Sequence, residues 1–230
     1  IDYGSRTFPK NTYGGLISHN DGRIDPIELL KGLSISLGNL NVEKIPKKAI
    51  LLRRTSTLNR CGWKVLLDDQ SFINSDYIIL CCAMGSNFLL KPLGHKLELE
   101  PILGQAMSLE MKRDNMDWSN WPAVLVTNGI NIVPLGKNNL LIGATLEPGV
   151  KPSHKLLKDM KELNGMAPEW MKNSSTKQQW LGIRARPKNQ PAPILEALEP
   201  GLIVNTGHYR NGILLAPACA EWVSNLVNTK

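Results

Sequence analysis

Near the end of the chain, "TGHYRNGILLAP" (Thr206–Pro217) sets Gly207, His208, Arg210 and Gly212 directly before an apolar helical pattern. The first amides of a helix have no intrahelical partners and carry the positive end of its dipole. Gly207 and Gly212 permit unusual dihedrals and a close approach by another molecule. Arg210 adds a full positive charge. Such a turn suits an anionic or electron-rich group; an ordinary strand–turn–helix with a solvated arginine has the same spacing. A second cluster, "WLGIRARP" (Trp180–Pro187), puts Arg184 among apolar strand residues with Gly182 two positions before it. An arginine in that setting needs a carboxylate or phosphate partner. A substrate carboxylate and an internal Asp or Glu are the two candidates. Arg186 is expected on the opposite, exposed face.

The other polar residues point to less. His19, His95 and His154 are dispersed, and none of Cys61, Cys81, Cys82 and Cys219 forms a C-x-x-C pair, so no metal site is expected. Cys81 and Cys82 lie in the apolar run "DYIILCCAM" and are expected to be buried, reduced thiols of a cytoplasmic protein. "WSNWP" (Trp118–Pro122) is expected to be a packed loop, with a lid as the alternative.

The elements that position these residues follow from pattern. Asp25 and Pro26 open a helix with Ile27, Leu29, Leu30 and Leu33 on one face, closed by Gly38. Short strands are expected at "NVEKI", "AILLRRT" and "KVLLDD", and "DYIILCCAM" reads as a strand buried on both faces. "INIVPLGKNNLLIGATLE" reads as two strands joined by a polar turn at residues 136–139. Ser153 caps an amphipathic helix that Gly165 stops, "GLIVNTG" is a buried strand, and the last helix is expected to bury Trp222, Val223 and Leu226. Buried strands at both ends and hairpins between them predict mixed α/β and α+β architecture. The expected divisions are a loop or strand segment over 1–19, α/β segments over 20–99 and 186–230, and an inserted antiparallel-sheet domain over 100–185.

The chain has 230 residues and a net charge of +7, from 27 basic and 20 acidic side chains. The basic residues form no dense stripe and are not interleaved with aromatics, so nucleic acid is not an expected partner. No apolar run reaches the roughly 20 residues of a membrane span.

Taken together and in chain order, "DGRIDPIELLKGL", "DYIILCCAM", "PILGQ", "INIVPLGKNNLLIGATLEPG" and "WLGIRARPKNQPAPILEALEPGLIVNTGHYRNGILLAPACAEW" resemble the FAD-dependent amino-acid oxidoreductases of the D-amino-acid oxidase family, and the glycine oxidases of thiamine biosynthesis most of all. The resemblance runs over roughly residues 15–228 and is most specific at Gly207–Gly212. It implies FAD as cofactor, a small amino acid as substrate, and oxidation of its amine to an imine that hydrolyses. It implies that Arg184 grips the substrate carboxylate, that Asn131 stands where a tyrosine shares that task, and that Leu146 lines the pocket. Gly182, His208, Tyr209, Arg210, Asn211, Gly212, Ile213 and Leu214 match positions along the flavin, with Arg210 also close to the substrate. Ala83 replaces a glycine at the end of the family's flavin-facing strand, Leu103 replaces a basic residue and Ala185 a proline. The family's opening G-x-G-x-x-G is absent from the sequence, which begins at Ile1. An incomplete FAD-binding α/β domain is therefore expected, in a portion of a longer enzyme or, as the alternative, in a non-catalytic remnant or subunit that pairs with a second chain carrying the missing dinucleotide-binding unit or with a second copy of itself.

Overall fold

The computed structural model describes residues 16–20, 22–57, 60–112, 121, 123–136 and 138–228. The loop "WSNWP" lies almost wholly outside them, as does most of the 1–19 segment, and the Cys61 side chain is not described. The chain divides into two compact units. One takes the described residues up to Glu43, with Leu103–Glu147 and Lys151–Gly182; the other takes Lys44–Ile102, Pro148–Val150 and Ile183 onward. The expected 20–99 segment is thus cut after Glu43.

In the second unit, β1 (Ala49–Thr57), β2 (Arg60–Leu67) and β3 (Phe72–Ser75) form an antiparallel sheet. A second sheet has the order β11 (Ile194–Glu199), β12 (Leu202–Thr206), β4 (Ile78–Leu80). β12 pairs antiparallel with β11 and parallel with β4, Val204 opposite Leu80. The short helix α2 (Ser86–Leu90) follows β4, and α5 (Gly212–Asn228) follows β12. Leu52, Trp63, Leu80, Leu89, Leu90, Leu97, Ile194, Leu202 and Val204 form the core. β12 lies between two strands, so its run "LIV" is buried on successive residues rather than alternately. Trp63 is buried with its indole N–H donating to the Pro200 carbonyl at 3.1 Å. Gly201 turns β11 into β12 with φ +76°; a Cβ there would lie 2.4 Å from the Asp76 carbonyl oxygen, so only glycine fits.

The other unit is built on the sheet β10 (Ser175–Pro187), β5 (Leu99–Glu110), β8 (Asn139–Gly143), β7 (Ile130–Pro134), β6 (Leu125–Thr127), with β9 (Glu147–Pro148) also on β5. The division between units falls within β5, β9 and β10. Ile130, Ile132, Leu140 and Ile142 point to one side, where α3 (His154–Lys161) contributes Met160 and α4 (Glu169–Lys172) contributes Met171. Ser153 caps α3, its hydroxyl accepting from the Leu156 amide at 3.3 Å. Helix α1 (Pro26–Asn39) begins as expected: the Ile27 and Glu28 amides donate to Asp25 Oδ1 at 2.8 and 3.2 Å.

Four expectations are corrected. Residues 41–45 form no strand and are exposed, because no neighbouring strand pairs with them among the described residues. "DYIILCCAM" supplies only the three-residue strand β4, at an edge of its sheet, and Ile79 is 39% exposed. Cys81 and Cys82 follow that strand and are exposed, while Cys219 is buried. In α5 the buried residue is Cys219; Trp222 and Val223 are half-buried and Leu226 is exposed.

Candidate functional site

The parallel pair β4–β12 sets the geometry. Parallel neighbours end on the same side, so Cys81–Gly85 leaves β4 and Gly207–Asn211 leaves β12 at one edge of this sheet. Open α/β sheets bind ligands outside the carboxyl ends of such strands. Gly207 takes φ +67°, and a Cβ on it would meet Pro187 Cγ at 3.1 Å and Ile194 Cγ1 at 3.2 Å. Tyr209 is left-handed as well, at φ 54°. The turn closes with the Asn211 amide donating to the His208 carbonyl at 3.1 Å, and α5 starts at Gly212. Arg210 is exposed; Ile213 and Leu214, in the first turn of α5, are 51% and 79% exposed. Burial pushes the His208 imidazole below its ordinary value.

Arg184 is half-buried on β10. Burial lowers its pKa, and the neighbouring charge of Arg210 pushes in the same direction, against a smaller opposing effect of Tyr209. Arg184, Tyr209 and Arg210 therefore share one electrostatic neighbourhood within a single unit. Two guanidinium groups so placed favour an anion.

The expectation that Arg186 lies on the face opposite Arg184 is corrected. Side chains two apart in a strand share a face, and burial along β10 alternates accordingly, Arg184 and Arg186 half-buried while Ala185 and Pro187 are buried. Arg186 Nε donates to Glu100 Oε1 at 2.6 Å, and its guanidinium lies 5.7 Å from the centre of the Tyr209 ring. The Glu100 bond is the chief cause of its raised pKa, with a smaller contribution from Tyr209.

Ala83 follows β4 with φ 48°, a left-handed conformation that glycine adopts without cost. Two hydroxyls, Thr206 Oγ1 on the last residue of β12 and Ser86 Oγ on the first residue of α2, are buried without a hydrogen-bond partner among the described residues. Gly182 is exposed at the end of the first unit's span. Asn131 is half-buried on β7 opposite Gly143, and Leu146 is 45% exposed between β8 and β9; both belong to the other unit.

Beside Leu146 is a buried carboxylate that the sequence pattern does not announce. Glu147 is 3% exposed. Its Oε1 accepts from the Thr145 hydroxyl and from Gln105 Nε2 (2.8 Å), and its Oε2 from the Ser153 amide at 2.6 Å. Burial pushes its pKa up, but these hydrogen bonds together outweigh that and hold it below the usual range. Its signal in sequence is faint: a carboxylate two residues after a threonine, with a glutamine 42 positions away. Among the described residues no group of three or more His, Cys, Asp or Glu side chains could hold a metal ion.

These features define an α/β protein with an anion-favouring turn and helix start beyond the carboxyl ends of parallel strands. Residues 4–226 match the DAO family of FAD dependent oxidoreductases, and the chain belongs to that family. It is 30% identical over 164 residues to the glycine oxidase of Pseudomonas aeruginosa, covering 68% of this chain and 43% of that protein. It is 28% identical over 229 residues to the bifunctional protein ThiO/ThiG of Synechocystis, covering 95% of this chain and 32% of that protein. Among solved structures, glycine oxidase from Geobacillus kaustophilus superposes with a TM-score of 0.66 at 24% identity, over 80% of this chain and 48% of that one, a likeness of fold. The chain spans less than half the length of each of these proteins.

Proposed function

We propose that this protein is the portion of an FAD-dependent oxidoreductase that oxidises the amine of a small amino acid, glycine foremost. The observation that carries this reading is the shared neighbourhood of Arg184 and Arg210 at the carboxyl-end turn of β12. The residues present fit a flavin edge. The exposed apolar Ile213 and Leu214 offer contact to a flat ring, while Ser86 Oγ and Thr206 Oγ1 offer unused polar atoms. Bound FAD supplies the acceptor for the two electrons that leave the substrate. Arg184 holds the substrate carboxylate through two parallel N–H donors, which fixes the direction of the α-carbon. Arg210 and the first amides of α5 place positive potential where an electron-rich ring edge would lie. Free, exposed Cys81 and Cys82 fit a reducing compartment such as the cytoplasm.

A second reading, a non-catalytic subunit or remnant, has its own support. β4 offers an edge with Ile79 exposed, and a chain carrying the dinucleotide-binding unit, or a second copy of this one, could add to it.

Acetate, the smallest carboxylate probe, tests the arginine site. The side-chain Nε–H NMR signals of Arg184 and Arg210 are expected to shift together on titration, with one dissociation constant, and Arg184→Ala should abolish the Arg210 response. Signals that move independently, or not at all, contradict the site.

A further inference from the structure

The turn that carries Arg210 is held from below by groups outside the β12–α5 segment. Gly207 packs against Pro187 at the end of β10, and Leu99 at the start of β5 lies 3.4 Å from where a Cβ would stand. Tyr209, left-handed at φ 54°, is a bulky residue in a conformation that costs about 1–2 kcal/mol. The group against its ring is the Arg186 guanidinium, at 5.7 Å. Arg186 is in turn fixed by Glu100, with Nε and Nη2 both on Oε1 at 2.6 and 2.5 Å. Glu100 and Arg186 lie on adjacent strands, 86 residues apart in sequence. A carboxylate, a guanidinium and a tyrosine side chain thus stand in series and end on the turn's one left-handed non-glycine residue.

We propose that Arg186, anchored by Glu100 and lying against Tyr209, is a positioning residue that sets the Gly207–Asn211 turn and so the direction of Arg210. The proposal deepens the reading above and rests on it for the purpose of the turn, though not for the contact itself. The planar guanidinium matters here. Its Nε and Nη2 both reach Glu100 Oε1 while the same group stays beside the Tyr209 ring and hydroxyl, which a lysine ammonium with a single nitrogen does not do. Glu100 also balances the charge of Arg186 beside the turn.

Amide hydrogen exchange of the full chain reads the effect. Arg186→Ala is expected to speed exchange at His208–Asn211 on the order of tenfold, a local opening, while amides of β7 and β8 keep their rates. Tyr209→Phe keeps the ring but removes the hydroxyl that also hydrogen-bonds Arg186, so it should speed exchange at the turn less than Arg186→Ala does; Tyr209→Leu, which removes both, should reproduce the Arg186→Ala pattern. Arg186→Ala should also weaken acetate binding, read at the Arg210 signal, with no change in melting temperature. Turn amides within about twofold of wild type in Arg186→Ala, or acceleration spread evenly over the whole unit, would overturn the proposal. A wild-type protein whose arginine signals ignore acetate defeats the carboxylate-site reading instead, and the exchange pattern still decides whether Arg186 sets the turn.

Discussion

A charged side chain in an apolar strand must find a partner, and this makes some site residues legible from sequence. Arg184 stands out because "WLGIRARP" surrounds it with residues that cannot satisfy it. Arg210 stands out because it precedes a helix after a glycine turn. Strand alternation puts Arg186 on the same face as Arg184, so its face is legible; its partner is not, because nothing near it in the sequence announces Glu100. Glu147 escapes for the same reason, its donors coming from Gln105, Thr145 and the Ser153 amide. These donors are all neutral, so the carboxylate depends on hydrogen bonds alone. Glu147→Gln sets an N–H₂ group against other donors. We expect it to lower stability by about 1–3 kcal/mol, seen as a reduced urea midpoint at neutral pH. An unchanged midpoint would show that the network adds nothing.

Elements with local signals are legible. α1 has its Asp25 cap and Pro26, β7 and β8 their polar turn, and β12 its apolar run. Elements defined by their neighbours are not. β4 has the composition of a central strand but sits at an edge, and α5 has an apolar pattern with little to pack against. Composition reports what a face is suited to cover, and only tertiary structure reports whether a cover is present. One long-range cluster ties several elements. Arg54 on β1 donates to Glu199 Oε2 at 2.5 Å and to the Leu93 carbonyl at 3.1 Å, and His95 Nε2 lies 2.5 Å from Glu199 Oε1. The Arg54 hydrogen bond is the chief reason that the Glu199 carboxyl is held down to about 2. A carboxyl depressed in the folded state contributes stability that is complete above its unfolded value of about 4.3 and is lost as pH falls through the folded value. The urea midpoint of wild type should therefore fall between about pH 5 and pH 2. Glu199→Gln should be less stable at neutral pH and flatter over that window; a parallel acid limb in the variant would remove Glu199 from the account.

At the scale of the molecule, the net charge of +7 is spread over the sequence without a dense basic stripe. No helix among the described residues is long and apolar enough to cross a membrane. The mixed fold is legible because buried strands and hairpins differ in pattern; the division after Glu43 is not, because no change of composition marks it. The apolar residues of α1, the start of α5 and the edge strand β4 are left exposed on the units that carry them. Flavin uptake and turnover are whole-protein properties, and the glycine oxidase of Pseudomonas aeruginosa is more than twice as long as the segment matched in it. The decisive measurement is made on the protein purified from its source together with any polypeptide that accompanies it. FAD is added and the visible flavin band is followed without oxygen as glycine is titrated in. The account predicts a bound flavin whose band bleaches with glycine and keeps its colour with acetate. A flavin band that glycine leaves untouched, or protein that takes up no flavin at all, contradicts it.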